Sequence, residues 1–275
     1  VGSSGTVFVN NVSAGGSYLW STGATTSSLT ATPLSTSNYS VVFTSANGCV
    51  SPSVSGTIVV KPYPVITSSN DTICLGSSTT LATQVDLPGG TYSWSPIAAS
   101  SSTVTVAPTT TTTYTVIYDL LGCQDTTQMT VLVNPIPVAS TANGVICFGD
   151  TINLVATANL PGGSFLWSNG TANDTNTVWP ATTTSYSVTY TLNNCTSPPA
   201  TAQVTVNPIP VVTLNNATIC ETDPVTITAV PDLIGGSYIW GPNQIAGGAI
   251  QTLTPLQDTT LSVIYTLNNC PSLPA

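Results

Sequence analysis

Cysteine and tryptophan recur in this chain at a fixed distance. Cys74 precedes Trp94, Cys147 precedes Trp167 and Cys220 precedes Trp240, in each case by twenty positions, and each tryptophan follows a Gly-Gly pair and an aromatic-x-Trp step. A second cysteine comes later in each copy, at Cys123, Cys195 and Cys270. The period is about 73 residues, the sign of a tandem array in which every unit builds its own small core. A first copy carries Trp20 and Cys49, and counting twenty back from Trp20 falls one position before Val1, so the sequence reads as cut from something longer. The expected division is into four domains, at residues 1–61, 62–134, 135–207 and 208–275.

Within a unit the pattern is that of an all-β domain. Gly and Pro occur 21 times each, and short alternating runs sit between turn signals every 8 to 12 positions, with no helical periodicity. In the second unit the expected strands are Thr79 to Thr83, Thr91 to Trp94, Thr103 to Ala107, Thr113 to Tyr118 and Thr127 to Val133. Tyr114, Val116 and Tyr118 share one face, as in a sheet packed on one side. The counterparts of that strand begin at Tyr39, Tyr186 and Leu261. Gly15-Gly16, Gly89-Gly90, Gly162-Gly163 and Gly235-Gly236 mark a tight turn into the tryptophan strand. Trp20, Trp94, Trp167 and Trp240, one per unit at a fixed place, read as core plugs of a sandwich. Trp179 occurs in one unit only and is the candidate for an exposed aromatic.

Units meet at Lys61-Pro-Tyr-Pro64, Asn134-Pro-Ile-Pro137 and Asn207-Pro-Ile-Pro210. Such joints are short and stiff, which predicts a rod with restricted bending. The fourth unit stops where the third continues Thr201-Ala-Gln-Val-Thr-Val206, so the last unit is expected to lack its final strand and the first its opening one. An incomplete sandwich presents an edge open to strand addition.

The seven cysteines are expected to form three bridges within units, Cys74 with Cys123, Cys147 with Cys195 and Cys220 with Cys270, leaving Cys49 unpaired. Each would close a loop of 48 to 50 residues, contributing about 4 kcal/mol in the chain-entropy model. The competing zinc reading lacks both a CxxC pair and a histidine. Disulfides imply an oxidising, extracellular location. The net charge of -9 with Lys61 as the one basic residue excludes nucleic acid, since nothing can neutralise a phosphate backbone. No apolar run reaches the ~18 residues of a spanning helix.

The segments TICLGSSTTLAT, GGTYSWSP and APTTTTTYTVIYDLLGCQDTTQMTVLVNP resemble the PKD-like or Ig-like tandem repeats of very large secreted surface proteins of Bacteroidota. The resemblance covers all four units and implies stalk modules of adhesin-type proteins exported by type IX secretion. The acidic WDFGDG loop of PKD domains in the strict sense is absent, so no role of that loop carries over.

Catalysis is not expected. There is no histidine, and the two carboxylate pairs that might run glycoside chemistry, Glu221 with Asp223 and Asp119 with Asp125, recur in no other unit. No cofactor is expected either, with structural calcium on Asp71, Asp86 and Asp232 as the one metal to test. Asn159 and the region of Ala14 replace those aspartates in other units. Five Asp-Thr dipeptides occur against about two by chance. Four of them resemble the Asp-Ser/Thr O-glycosylation sequon of Bacteroidota, which makes Thr72, Thr126, Thr151 and Thr259 the candidate glycan sites. Ice binding by a flat threonine array is disfavoured, because the run Thr109 to Thr113 is not kept in other units.

The reading is an all-β rod of four Ig-like or PKD-like sandwiches, a non-catalytic stalk or filament body of an extracellular adhesin. Its partners would be neighbouring repeats of the same longer chain, self-assembled fibres and covalent O-glycans. The alternative is a glycan- or protein-binding adhesive module.

Overall fold

The computed structural model describes residues 3–10 and 15–275, so Val1 and Ala14 lie outside it. It divides into two compact units, Val1–Asn134 and Pro135–Ala275. Every sheet draws its strands from a single repeat. Among the described residues no helix is long and apolar enough to cross a membrane.

In the first unit the second repeat shows the architecture most fully. One sheet orders Thr103–Val106, Thr79–Val85 and Ile66–Ser68; the other orders Asp71–Cys74, Cys123–Asn134, Thr112–Leu120 and Thr91–Ser95. The two inner faces share one core. Ile66, Leu81 and Val106 come from the first sheet, and Ile73, Trp94, Val116, Tyr118, Met129 and Val131 from the second. Alternation explains the selection: Tyr114, Val116, Tyr118 and Leu120 point inward along one strand while the residues between them face out. The opening segment divides between sheets. Ile66–Ser68 pairs antiparallel with Thr79–Val85, and after a short bend Asp71–Cys74 pairs parallel with the end of Cys123–Asn134. This switch places Cys74 beside Asn134. The first repeat, built on Gly5–Phe8 with Ser28–Ala31 and on Ser17–Trp20, Ser37–Thr44 and Val54–Ile58, shows no counterpart of Asp71–Cys74 among its described residues.

In the second unit the third repeat repeats the plan. Gly144–Cys147 pairs parallel with Ala200–Asn207, in register Cys147↔Asn207. The fourth repeat departs from it. Ser262–Leu267 has Ser237–Gly241 on one side; on its other side it pairs with Cys270–Pro271 and takes further backbone hydrogen bonds from Ser272 and Ala275, and Ala217–Cys220 joins no sheet.

A tyrosine ties the turn ahead of each tryptophan strand in repeats two to four. Tyr118 Oη donates to Leu87 O at 2.7 Å and accepts from Gly90 N at 2.7 Å; Tyr190 does the same with Leu160 O at 2.8 Å and Gly163 N at 2.6 Å, and Tyr265 accepts from Gly236 N at 2.6 Å. Both glycines are required by geometry. Gly89 has φ +106°, and a Cβ on Gly90 would lie 2.3 Å from the carbonyl oxygen of Asp119.

Candidate functional site

Within each compact unit, the joint between its two repeats is where the unusual chemistry collects. Two-residue turns at Leu121-Gly122, Asn193-Asn194 and Asn268-Asn269 all have positive φ at both positions, the backbone a tight β-hairpin needs to follow the strand twist. Each turn delivers a cysteine immediately after it: Cys123, Cys195 and Cys270.

The bridges differ from the expected pattern. Cys147 of the third repeat is bonded to Cys270 of the fourth, across 123 residues of sequence, with Cα atoms 5.5 Å apart. Cys74 and Cys195 are each disulfide-bonded, whereas Cys49, Cys123 and Cys220 are free. The pairings Cys74–Cys123, Cys147–Cys195 and Cys220–Cys270 are therefore all incorrect. The reason is the length of one strand. Cys123 begins the twelve-residue strand whose last residue, Asn134, lies beside Cys74, so the two cysteines of the repeat stand at opposite ends, roughly 35 Å apart at the strand rise. A bridge must span less than about 7 Å between Cα atoms. In the second unit Cys147 lies at the end of the third repeat that faces the fourth, and there it meets the hairpin of the fourth.

Polar contacts accompany the bridge. Asn207 Nδ2 donates to Asn268 O at 3.4 Å, and a cavity of about 500 Å³ lies between Val145, Ile146, Cys147, Asp150, Thr151 and Ile152 on one side and Asn268 and Asn269 on the other. In the first unit Lys61 ends its repeat as Asn207 does, and its Nζ donates to Leu121 O in the hairpin of the second repeat. The single cation of the chain is thus used as a joint contact.

The Pro-x-Pro segments are held from behind. The second proline of each, Pro64, Pro137 and Pro210, is buried. The residue after it is clamped by a side-chain oxygen: Val65 N donates to Asp86 Oδ1 at 2.7 Å, Val138 N to Asn159 Oδ1 at 2.8 Å and Val211 N to Asp232 Oδ1 at 2.8 Å. The backbones answer reciprocally, with Asp86, Asn159 and Asp232 N donating to the same three residues' carbonyls. A single acceptor oxygen is all this clamp needs, which is why Asn159 replaces aspartate in the third repeat. Asp71 is engaged too, accepting from the Thr79 hydroxyl and from Thr72 N at 2.7 Å. Those bonds, the Thr79 hydroxyl first, hold its carboxyl below the ordinary value. The aspartates proposed for calcium are accordingly local acceptors on separate elements, and among the described residues no three His, Cys, Asp or Glu gather at a metal-binding distance.

The remaining candidates are placed as follows. Trp20, Trp94, Trp167 and Trp240 are buried, and their indole N–H groups donate to the carbonyls of Thr26, Ser101, Asn173 and Gly248. Their faces offer nothing to a ligand. Trp179 is 70% exposed. Thr72, Thr126, Thr151 and Thr259 are all exposed. Asp119 accepts from Gln124 Nε2 and Gly122 N, both at 2.7 Å, and these bonds, with Lys61 nearby, hold its carboxyl low; Asp125 caps Ile66 N at 2.9 Å. Carboxylates committed in this way suit structure better than proton transfer. Glu221 and Asp223 lie in an exposed turn after Cys220. Many threonine hydroxyls pair across strands, as Thr80 with Thr105 and Thr113 with Thr130. Such hydroxyls bond to each other, an arrangement unlike an open water-ordering array.

No family model and no curated protein matches the chain. Among solved structures it is similar to a three-immunoglobulin-domain fragment of titin at 10% identity, covering 78% of this chain and 98% of that one with a TM-score of 0.45. It is also similar to Drosophila OTK extracellular domains 3–5, at 12% identity, 75% and 92% coverage and a TM-score of 0.34. A third likeness is to the fibronectin(III)-like modules of Clostridium thermocellum CbhA, at 12% identity, 52% and 95% coverage and a TM-score of 0.33. The fold is a tandem array of Ig-like β-sandwiches.

Proposed function

We propose that this chain is a non-catalytic spacer of an extracellular surface protein, a stalk whose repeats are fastened to one another as well as folded individually. The observation that carries the reading is the bridge between the third and fourth repeats, Cys147–Cys270. A disulfide inside a domain stabilises that domain. One that joins the far end of one domain to the near end of the next removes freedom from the joint and gives tension a covalent route around most of both. Short Pro-x-Pro connections with a buried second proline act in the same direction. Disulfides also favour an oxidising location outside the cell. The resemblance to repeats of secreted Bacteroidota surface proteins is consistent with an adhesin stalk, and the exposure of Thr72, Thr126, Thr151 and Thr259 is consistent with O-glycans, which would help keep a chain with 4% charged residues solvated.

Pulling the chain from its ends tests the reading. Without reductant the loop from Cys147 to Cys270 is expected to stay locked. Reduction should release its 123 residues, about 400 Å of added contour at the extended-chain length per residue. Equal contour lengths in both conditions would remove the basis for a fastened stalk. Peptide mapping of native material should find sugar mass on at least one of the four threonines; bare threonines throughout would remove the glycan part alone.

A further inference from the structure

Three departures from the repeat pattern fall together on one sheet of the third repeat. The residue after the strand Thr175–Val178 is Trp179, whereas its counterparts, each likewise followed by proline, are Thr32, Ala107 and Thr254. The outward cross-strand pair beside it is Asn153 with Thr177, where the other repeats set Thr6 against Thr30, Thr80 against Thr105 and Thr226 against Thr252. Between Thr175 and Thr177 stands Asn176, in place of Leu29, Val104 and Gln251. We propose that the outer face of this sheet is a saccharide-binding surface for a separate, uncharged polysaccharide, in which Trp179 stacks against a pyranose ring and Asn153 bonds its hydroxyls.

Register brings the two outward departures side by side. Asn153 pairs with Thr177 and Ile152 with Val178, so Thr151 and Trp179 stand one position beyond the last pair, on the same face as Asn153 and Thr177. Burial agrees with the alternation: Leu154, Asn176 and Val178 are buried, while Trp179 is 70% exposed. The other four tryptophans are buried and their indole N–H groups are bonded. An exposed ring at this place is therefore no requirement of the fold, and the second and fourth repeats do without one. The strand that leads to it is pinned from beneath. Asn169 and Asn176 exchange two amide hydrogen bonds of 3.0 and 3.2 Å, and the Thr171 hydroxyl donates to Asn176 Oδ1 at 3.1 Å. A platform next to a fixed strand loses little freedom when a ligand meets it.

The chemistry of the face selects the ligand. One side of a pyranose presents C–H groups that suit the electron-rich face of an indole, and its hydroxyls need hydrogen-bonding groups close by. Thr177 Oγ1 donates to Asn153 Oδ1 at 2.7 Å, which leaves both amide N–H groups of Asn153 to donate to a ligand. The Thr151 hydroxyl, across from Trp179, can donate or accept. From Trp179 to Thr175 the strip runs about 14 Å at the strand rise, longer than a single sugar ring. None of its side chains is charged, and Asp150 and Asp174 precede the two strands, so a neutral saccharide is favoured over an acidic one. A protein partner would want a continuous apolar centre, and here the polar pair Asn153 and Thr177 separates Trp179 from Val155.

The test titrates the oxidised full chain with cellohexaose, mannohexaose and chitohexaose and follows quenching of tryptophan fluorescence by acrylamide. Of the five tryptophans only Trp179 is exposed, so the readily quenched part of the emission reports on it. At least one of these sugars at millimolar concentration should protect that part and shift the emission to the blue. Trp179→Ala, the residue of the second repeat, should abolish the heat of binding in calorimetry, while the four buried indoles stay unquenched as a check on folding. Asn153→Thr, the residue of the other repeats, should weaken binding about tenfold, the share of one hydrogen bond. Protection by none of the three sugars overturns the proposal, as does unchanged affinity in Trp179→Ala. So does protection before any sugar is added, since a second copy of the chain or a sugar carried by Thr151 would then cover the face. The stalk reading does not enter: none of these results bears on the fastened joint, which the pulling experiment reads separately.

Discussion

At the scale of single residues, the repeat is kept by groups that satisfy backbone atoms more than by groups that fill space. Tyr190 is the clearest case. Its ring is buried against Phe165, with centroids 4.6 Å apart, and its hydroxyl closes the turn by bonding Leu160 O and Gly163 N. In the first repeat Phe43 takes this place, packed 5.0 Å from Tyr18 and without a hydroxyl to offer Gly16. The ring is thus sufficient for the fold, and the hydroxyl adds to its stability. Tyr190→Phe should leave the chain folded and lower the stability of the third repeat by about 1–3 kcal/mol, the cost of leaving partly buried backbone partners unpaired. Denaturant unfolding would measure it; an unchanged midpoint would mean that water replaces the hydroxyl at no cost. The same logic separates acceptor from charge at Asp86, Asn159 and Asp232. Where one oxygen accepting one N–H is the task, the carboxylate and the carboxamide are interchangeable, and the aspartate needs no metal to explain it.

At the scale of elements, strands were legible and the fastening of one repeat to another was not. The alternation of Tyr114, Val116 and Tyr118, the Gly-Gly turns and the fixed tryptophans announce a sandwich because each side chain faces a direction set by period two. The short strands Ile66–Ser68 and Asp71–Cys74 were missed, since three or four residues flanked by polar ones carry almost no periodic signal. That omission caused the error in the cysteines. Without knowing that Asp71–Cys74 runs parallel to the last strand, nothing in the spacing reveals that Cys74 and Cys123 occupy opposite ends of the domain. The sequence carries a further signal of the interruption. Cys49, Cys195 and Cys270 are each followed two residues later by a serine, Ser51, Ser197 and Ser272, whose Oγ accepts the backbone N–H of Phe43, Tyr190 and Tyr265. The serine replaces a ladder bond where the strand is interrupted. The second repeat has Asp125 there and a continuous strand of twelve residues, so it departs from the other three at this point.

At the scale of the whole molecule, the bridge makes a claim about cooperativity within the unit Pro135–Ala275. Each repeat has its own core, Trp167, Val188 and Val204 in the third and Trp240, Val263 and Tyr265 in the fourth. Separate cores ordinarily open separately, and an array of repeats then unfolds as a sum of local equilibria. Cys147–Cys270 changes this, because the hairpin of the fourth repeat is covalently tied to the edge strand Gly144–Cys147 that completes the third. Opening the third repeat with the bridge intact drags its fastened strand away from Ala200–Asn207 while the hairpin must either follow or hold it in place. The two repeats should therefore share their slowest opening when oxidised. Amides of Thr184–Leu192 and Ser262–Leu267 are expected to exchange with one common free energy in the oxidised chain. After reduction they should separate into two classes, each set by the core of its own repeat. Two classes already present before reduction would show that the bridge limits the position of the repeats without coupling their stability. The third and fourth repeats would then be held at their joint but be no harder to unfold, one at a time, than without the bridge.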